Sequence, residues 1–215
     1  YSICGHNVKI IFEGLNKQSE WERSWSKKEW VSIEDVIVNG GAATGSLVWR
    51  NKVFGTFPDW FVNQHGGDWS LQILCASMGK MKYFNEIMGV YRIHDKGAYG
   101  TALEIVKKKN LRIEEFLYTN MQNMLHALDL HFTYKYSALF DMVRNYSNLE
   151  AFSRYSLVGD FANAKKYAQK IKPVLFKFPP KIIVVFIIKL FIIFFLPKKI
   201  ALHILRVNMR RGMLI

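Results

Sequence analysis

The chain has 215 residues, half of them hydrophobic, and a formal net charge of +13. A chain of this length and apolar content can bury one large core or two small ones, which excludes a largely disordered protein. Its two cysteines, Cys4 and Cys75, show neither a disulfide framework nor metal-site spacing, and a reducing compartment fits them best.

The charge is concentrated at one end of the sequence. Residues 161–215 contain nine lysines, three arginines and no acidic residue, so they carry +12, whereas residues 1–160 carry only +1. This basic segment is also the most apolar one, a combination typical of contact with an anionic membrane surface. A phosphate-binding surface interleaves basic with polar residues, so we predict no nucleic-acid partner.

The first elements are a strand and a short helix. Residues 1–12 predict a β-strand that reads as an interior one, so we expect the natural N-terminus to lie upstream. The polar, tryptophan-rich residues 13–31 predict a loop or β-excursion. Ser32 is expected to cap a short helix, with Asp35 at the capping-box position, and Gly40 follows its end.

A second helix follows a glycine-rich loop. Small residues at the start of 43–50 lead into a short strand, and residues 54–67 predict a loop. We expect a helix to begin directly after Asp68 and to stop at Gly79. Its predicted buried stripe consists of Leu71, Leu74, Cys75 and Met78.

Strands then give way to helices. Two strands are predicted on either side of a break at Asn85-Glu86, namely 82–84 and 87–94. Helical periodicity follows over about 101–127, 135–157 and 161–171. The last two helices are expected to form a hairpin that turns at Gly159-Asp160.

The tail contains a strongly apolar segment. Residues 182–196 are 15 in number, and 14 of them are apolar. As a helix this segment would be about 22 Å long, which is less than the roughly 30 Å of a bilayer core, and Lys189 lies in its middle. With the amphipathic residues 200–209 it predicts an interfacial or re-entrant hairpin; burial against the rest of a larger protein is the alternative.

Asp68 is the strongest candidate for chemistry, although an Asp before a helix is most often an ordinary N-cap. Gly66 and Gly67 precede it, so the backbone can turn tightly and leave the carboxylate accessible. Trp69 follows it and offers a ring face that suits a sugar. A helix N-terminus favours an ionised carboxylate, and an ionised, fixed and exposed carboxylate can serve as a general base.

Arg92 and His94 form a second candidate pair. Strand alternation puts them on one face, with Tyr91 and Ile93 on the other. A lone histidine at a strand end is usually structural. Arginine suits a diphosphate, however, and neutral imidazole suits a divalent ion such as Mn²⁺, so the pair favours a diphosphate and metal site.

Five short motifs follow one another through residues 1–100: a small-residue segment ending in arginine, Gly-Asp-Trp before a helix, Gly-Lys at its end, Tyr-Arg-x-His, and a loop glycine. They are residues 44–50, Gly67-Asp68-Trp69, Gly79-Lys80, Tyr91-Arg92-Ile93-His94 and Gly97. This order and spacing resembles the second half of bacterial family 2 glycosyltransferases of the GT-A fold.

The resemblance implies an α/β fold class. Residues 1–100 would be the C-terminal, acceptor-side part of a GT-A (nucleotide-diphospho-sugar transferase) fold, whose nucleotide-binding half should precede them. An α-helical C-terminal region would follow, made of a helical region at 101–172 and of basic, apolar, membrane-associating helices at 173–215. The family's Asp-x-Asp metal motif is absent from these residues, so we expect them to be inactive by themselves.

The resemblance also implies an inverting transfer of a sugar from a nucleotide-sugar donor to a glycan or lipid-linked acceptor. The implied site residues are Asp68 as general base, Trp69, Thr44 and Ser46 for the acceptor, Arg92 for the diphosphate, and His94 for a divalent metal, Mn²⁺ or Mg²⁺. Such an enzyme would bind the cytoplasmic face of the cell membrane, as a peripheral or monotopic protein, and build surface polysaccharide or lipid-linked glycans. The alternative is a non-catalytic membrane-surface binding or scaffolding protein.

Overall fold

A computed structural model describes residues 1–14, 16–64, 67–94, 97, 113–172, 180–196, 199–201 and 203. The chain is mixed α/β and divides into two compact units, Tyr1–Phe140 and Asp141–Ile215. The predicted boundaries after residues 100 and 172 both border residues outside the described part.

The four strands and the first three α-helices belong to the first unit, and the remaining α-helices lie wholly or mostly in the second. The elements in chain order are β1 (Ile3–Phe12), β2 (Lys17–Glu20), α1 (Ile33–Asn39), β3 (Val48–Trp49), α2 (Gly67–Ser77), β4 (Met81–Ile93), α3 (Ile113–His131), α4 (Ser137–Val158), α5 (Phe161–Ala168) and α6 (Pro180–Phe195), with short 3-10 helices at Thr44–Ser46 and Asp59–Asn63. Helix α4 begins in the first unit and continues into the second.

Strand β1 is the centre of a mixed sheet. It pairs in parallel with β4 from Ile3 to Phe12. It pairs antiparallel with β2 near its C-terminal end and with β3 near its N-terminal end. Because β4 occupies one edge of β1 along its length, β2 and β3 share the other edge. The predicted first strand is thereby confirmed.

Strand β4 is continuous, so the prediction of two strands around Asn85-Glu86 was wrong. The register between β1 and β4 shifts around Asn7, where β4 accommodates extra residues as a bulge. The buried Asn7 carboxamide donates to the Asn85 carbonyl (3.4 Å) and to Glu20 Oε2 (3.2 Å). The polar pair that reads as a break in the sequence is therefore a bulge held by a side chain from the neighbouring strand.

Helix α1 begins and ends as predicted. The Ser32 hydroxyl oxygen accepts from the Asp35 N–H (3.2 Å), and the Asp35 carboxylate accepts from the Ser32 N–H (3.2 Å), which completes a capping box. The helix stops at Asn39 because Gly40 takes φ 77°, a left-handed conformation that favours glycine.

Helix α2 supplies much of the core of the first unit. Of the predicted stripe, Leu71, Leu74 and Cys75 are buried, as expected. Met78 is exposed, because the helix ends at Ser77 and the next residue leaves the buried face. Burial raises the pKa of the Cys75 thiol to about 11, and both cysteines are free.

The helices of the second unit include the predicted hairpin. Helices α4 and α5 are joined at Gly159, which has φ 78°, and Asp160 caps α5 by accepting from the Asn163 N–H (3.2 Å). The predicted helix over 101–127 is observed from Ile113 to His131, and its first part lies outside the described residues. Within the described part of the chain, no helix is long and apolar enough to cross a membrane.

Candidate functional site

The candidate site is built around the first turn of α2. The helix begins at Gly67, two residues earlier than the sequence predicted, so Asp68 lies inside the first turn rather than before it. Asp68 is exposed, whereas Ser70, two residues later in the same turn, is fully buried. The carboxylate thus lies at the solvent-exposed start of a helix whose following residues, Ser70 to Ala76, are buried in the core.

Both oxygens of the Asp68 carboxylate accept hydrogen bonds. The Thr44 hydroxyl donates to Asp68 Oδ2 at 2.6 Å, and the Trp69 backbone N–H donates to Asp68 Oδ1 at 2.9 Å. Thr44 belongs to the 3-10 helix Thr44–Ser46, which is 24 residues away in the sequence. The structure therefore brings together two of the predicted site residues, and Thr44 orients the carboxylate as well as bordering it.

Gln72, one turn below Asp68, fixes the segment that carries Thr44. Its Oε1 accepts from the Ala42 N–H at 2.7 Å, and its Nε2 donates to the Ala42 carbonyl at 3.2 Å. Nε2 also donates to the Asp68 carbonyl at 3.2 Å. The Gln72 side chain is only 1% exposed, so these bonds lie out of reach of water and hold residue 42 against α2.

A second set of side chains holds the start of the same segment. The Trp21 indole N–H and Arg23 Nε both donate to the Gly41 carbonyl, at 3.1 and 3.2 Å, and the Trp25 indole N–H donates to the Gly40 carbonyl at 3.1 Å. Burial lowers the pKa of the Arg23 guanidinium. Residues 40–44 are therefore fixed by the 21–25 segment at one end and by α2 at the other.

Sequence patterns alone do not identify these supporting residues. Gln72 looks like one polar residue within an apolar helix, and the only available signal was its position four residues after Asp68, on the same helix face. The Trp-Glu-Arg-Ser-Trp run at 21–25 lies in a stretch whose composition predicts only a loop or β-excursion. The regular spacing of its indole and guanidinium N–H donors is the one feature that indicates a segment able to bind backbone carbonyls.

Trp69 and Ser46 differ in what they can offer to an acceptor. Trp69 is half-buried, and its indole N–H donates to the Val36 carbonyl in α1 at 2.8 Å, which fixes the ring beside Asp68. Ser46 is buried, and its hydroxyl donates to the Ala43 carbonyl at 2.7 Å. The expectation that Ser46 faces the acceptor is therefore corrected: its side chain closes the 3-10 turn instead.

Arg92 and His94 lie towards the far end of the β1–β4 pair. Arg92 pairs with Ile11, whereas Gly5, six residues earlier on β1, lies against the side chains of Ala42 and Leu47. Six residues of extended strand span about 20 Å. The segment that carries Thr44 and the end of β4 thus contact opposite parts of the sheet.

Neither residue assembles a metal site among the described residues. Arg92 is exposed and forms a long ion pair of 3.9 Å with Glu13, and His94 is half-buried just after β4 ends. No group of three His, Cys, Asp or Glu side chains that could hold a metal ion occurs in the described part of the chain. His94 alone does not make the site that the resemblance implies, so we derive no step through a metal.

An open hollow of about 490 Å³ lies elsewhere on the first unit. It is lined by Tyr1, Ser2, Ile3, Cys4, Val48, Trp49, Arg50, Lys82 and Phe84. Asp68 and Thr44 are not among these residues, so the hollow is separate from the candidate site.

The chain shows limited similarity to known proteins. No protein-family model matches it. Over 102 residues it is 29% identical to uncharacterized protein Rv1520 of Mycobacterium tuberculosis and to uncharacterized protein Mb1547 of Mycobacterium bovis. The match covers 47% of this chain and 28% of each relative, so it spans little more than a quarter of their length. No solved structure matches the chain.

Proposed function

We propose that this chain is the acceptor-side part of an inverting glycosyltransferase, similar to family 2 enzymes of the GT-A fold, and that Asp68 is its general base. The donor would be a nucleotide-sugar and the acceptor a glycan or lipid-linked hydroxyl. The mixed α/β unit with parallel β1 and β4 would be the C-terminal part of the GT-A sheet.

The observation that supports this proposal is the geometry of the Asp68 carboxylate. It is exposed, yet Thr44 and the Trp69 backbone hold both of its oxygens (2.6 and 2.9 Å), and Gln72 fixes the turn from below. An N-cap needs only a bond to its own helix. Here an independent segment, clamped at both ends, delivers a hydroxyl to the carboxylate, an arrangement that serves to orient a base.

The reaction that fits this geometry is a single displacement. Asp68 takes the proton of the acceptor hydroxyl as that oxygen forms a bond to the anomeric carbon of the donor. The bond from that carbon to the diphosphate oxygen breaks, and the nucleoside diphosphate leaves with the bonding electron pair. Attack from the side opposite the leaving group inverts the anomeric configuration. Trp69, fixed beside the carboxylate, would pack against the acceptor sugar.

The donor side is less complete in these residues. Arg92 is exposed and its ion pair with Glu13 is long, so its side chain can bind an anion. Its strand partner Ile11 lies about 20 Å along β1 from Gly5, which borders the segment that carries Thr44, so its role at the diphosphate rests on the resemblance alone. His94 and a divalent ion, Mn²⁺ or Mg²⁺, remain part of the proposal that the resemblance implies. Further metal ligands would have to come from residues other than those described.

The test is a transfer assay on the complete protein with an Asp68→Asn variant. The protein would be incubated with UDP-, GDP- and dTDP-sugars and membrane extract, and sugar incorporation and nucleoside diphosphate release would be measured. Asp68→Asn keeps the shape and the Thr44 contact but removes the base, so we expect transfer to fall about a hundredfold to ten-thousandfold.

The matched control is Asp59→Asn. Asp59 is also an exposed carboxylate in the first turn of a short helix, Asp59–Asn63, but it lacks a described hydroxyl partner from another segment. We expect this control to keep the wild-type rate. An unchanged transfer rate in Asp68→Asn would refute the assignment of Asp68 as the base. No transfer by the wild-type protein with any of the donors would instead favour the non-catalytic membrane-surface protein.

A further inference from the structure

Helix α6 has one face packed into the second unit. Phe186, Lys189, Ile192 and Ile193 are buried. The Phe186 ring packs edge-on against Phe152 of α4, with centroids 5.1 Å apart, and Lys189 Nζ donates to the Ser153 hydroxyl at 3.2 Å. The Lys189 side chain is therefore turned inwards, away from the opposite face.

The opposite face is apolar and exposed. We call it the α6 face, and it consists of Val184, Ile187, Ile188, Phe191, Phe194 and Phe195. These residues recur at spacings of three and four, so they form one continuous stripe, and each is between 43% and 72% exposed. A contiguous apolar stripe of this kind marks an interaction surface.

Positive charge surrounds the α6 face. Lys165 of α5 lies over the Phe194 ring at 4.6 Å, and the exposed Lys199 follows the C-terminal end of α6. Residues 161–215 carry +12 with no acidic residue. A second copy of the chain would bring two such segments together, and their like charges would repel. An anionic surface would instead complement them.

The length of α6 determines how it can meet a lipid surface. Its 16 residues span about 24 Å, which is less than the roughly 30 Å of a bilayer core. A stripe along one side of a helix, with lysines at its border, is typical of a helix that lies in the plane of the interface. The inward position of Lys189 removes the charge that a lipid-facing helix could not accommodate.

We propose that the α6 face inserts in-plane into the surface of an anionic membrane. The α6 face would then contact the region of the membrane where the headgroups meet the acyl chains, and Lys165 and Lys199 would contact anionic headgroups. This inference does not depend on the proposed function, because it rests on the second unit alone. Most of the predicted partner helix over 200–209 lies outside the described residues, and it is not needed for the proposal.

The test is vesicle flotation of the complete chain. One set of vesicles contains phosphatidylcholine alone, and the other contains about one third phosphatidylglycerol. We expect flotation with the anionic vesicles, weakened by added salt. In the variant Ile188→Gln/Phe191→Gln we expect the partition coefficient to fall about tenfold or more, because two apolar anchors are lost.

The matched control is Val158→Gln. Val158 is an exposed apolar residue at the end of α4, outside the α6 face, and the variant should float as the wild type does. Circular dichroism of each variant reports whether its helices are intact. Hydrogen exchange of the wild-type chain gives a second readout that needs no variant: anionic vesicles should slow exchange in α6 and leave α1 unchanged.

Three results would overturn the proposal. The first is a wild-type chain that stays unbound with both kinds of vesicle. The second is flotation that the double variant retains at full strength. The third is protection of α6 that appears without lipid and rises with protein concentration, which would identify a second copy of the chain as the occupant.

Discussion

The carboxamide of Gln72 holds both backbone groups of Ala42, accepting from its N–H at 2.7 Å and donating to its carbonyl at 3.2 Å. The side chain of a helix residue thus forms the same pair of hydrogen bonds with a loop residue that a neighbouring strand would form. Because the same carboxamide also bonds to the Asp68 carbonyl, a single side chain links the position of Thr44 to that of Asp68. The stability of the unit and the orientation of the candidate base therefore depend on the same residue.

Gln72→Leu should destabilise the first unit. Leucine fills a similar volume but leaves the N–H and carbonyl of Ala42 buried without a partner, which costs roughly 2 kcal/mol or more. Urea unfolding followed by tryptophan fluorescence measures this directly, because all six tryptophans lie in Tyr1–Phe140. Gln18→Leu on the exposed strand β2 is the control and should change stability by less than about 0.5 kcal/mol. Equal effects of the two substitutions would show that the Ala42 contacts carry little energy.

Gly41→Ala should be destabilising because of Gln72. A Cβ built on Gly41 would overlap the Gln72 carboxamide, which cannot move without losing its bonds to Ala42. We expect a loss of roughly 1–3 kcal/mol in the free energy of unfolding. Gly45→Ala is the matched control, since a Cβ there would meet nothing within 4 Å.

A double-mutant cycle separates this overlap from a general effect on the loop. In a Gln72→Ala background the obstacle is gone, so Gly41→Ala should cost much less than it does in the wild type. Additive losses in the cycle would mean that Gly41 is required for another reason.

Thr44→Val should impair the orientation of Asp68. Valine keeps the shape of threonine but removes the hydroxyl that donates to Asp68 Oδ2 at 2.6 Å. If Asp68 is the base, we expect kcat to fall about tenfold with little change in KM for the donor, and Thr44→Ser to restore most of the rate. Thr56→Val, at another exposed threonine, should leave kcat unchanged. Wild-type kcat in Thr44→Val would show that the carboxylate does not need this contact.

Features set by neighbouring residues could be predicted from the sequence. The two residues of the capping box, Ser32 and Asp35, are three positions apart, and the α4–α5 hairpin depends on Gly159, so both follow from local rules. Asp68 and Thr44 could each be singled out from the sequence as candidate site residues. Their 2.6 Å contact could not, because it joins segments 24 residues apart.

Features that depend on distant partners were missed. The Asn85-Glu86 pair looks like a strand break, and only the carboxamide of Asn7, on a neighbouring strand, shows that it is a bulge. The burial of Ser46 depends on how its short 3-10 turn packs, which composition does not reveal. Gln72 could not be identified because its role requires the 40–44 segment to lie against α2.

Lys189 gives the second unit a predictable dependence on pH. Burial lowers the pKa of its ammonium group below the ordinary 10.5. Between the lowered pKa and 10.5 the unfolded chain binds more protons than the folded one, so stability should rise with pH across that window. Below the window the folded state bears the full cost of burying the charge.

Lys189→Met should therefore raise stability at neutral pH and flatten the rise at alkaline pH. Methionine has a similar volume and no charge, so we expect a gain of about 1 kcal/mol near pH 7 that shrinks as the pH rises towards 10.5 and disappears above it. Urea unfolding is followed by circular dichroism, because tryptophan fluorescence would not report on the second unit, which contains no tryptophan. Lys166→Met, at an exposed lysine of α5, is the control and should show neither effect. A loss of stability in Lys189→Met would mean instead that the bond from Lys189 to the Ser153 hydroxyl outweighs the cost of burying the ammonium group.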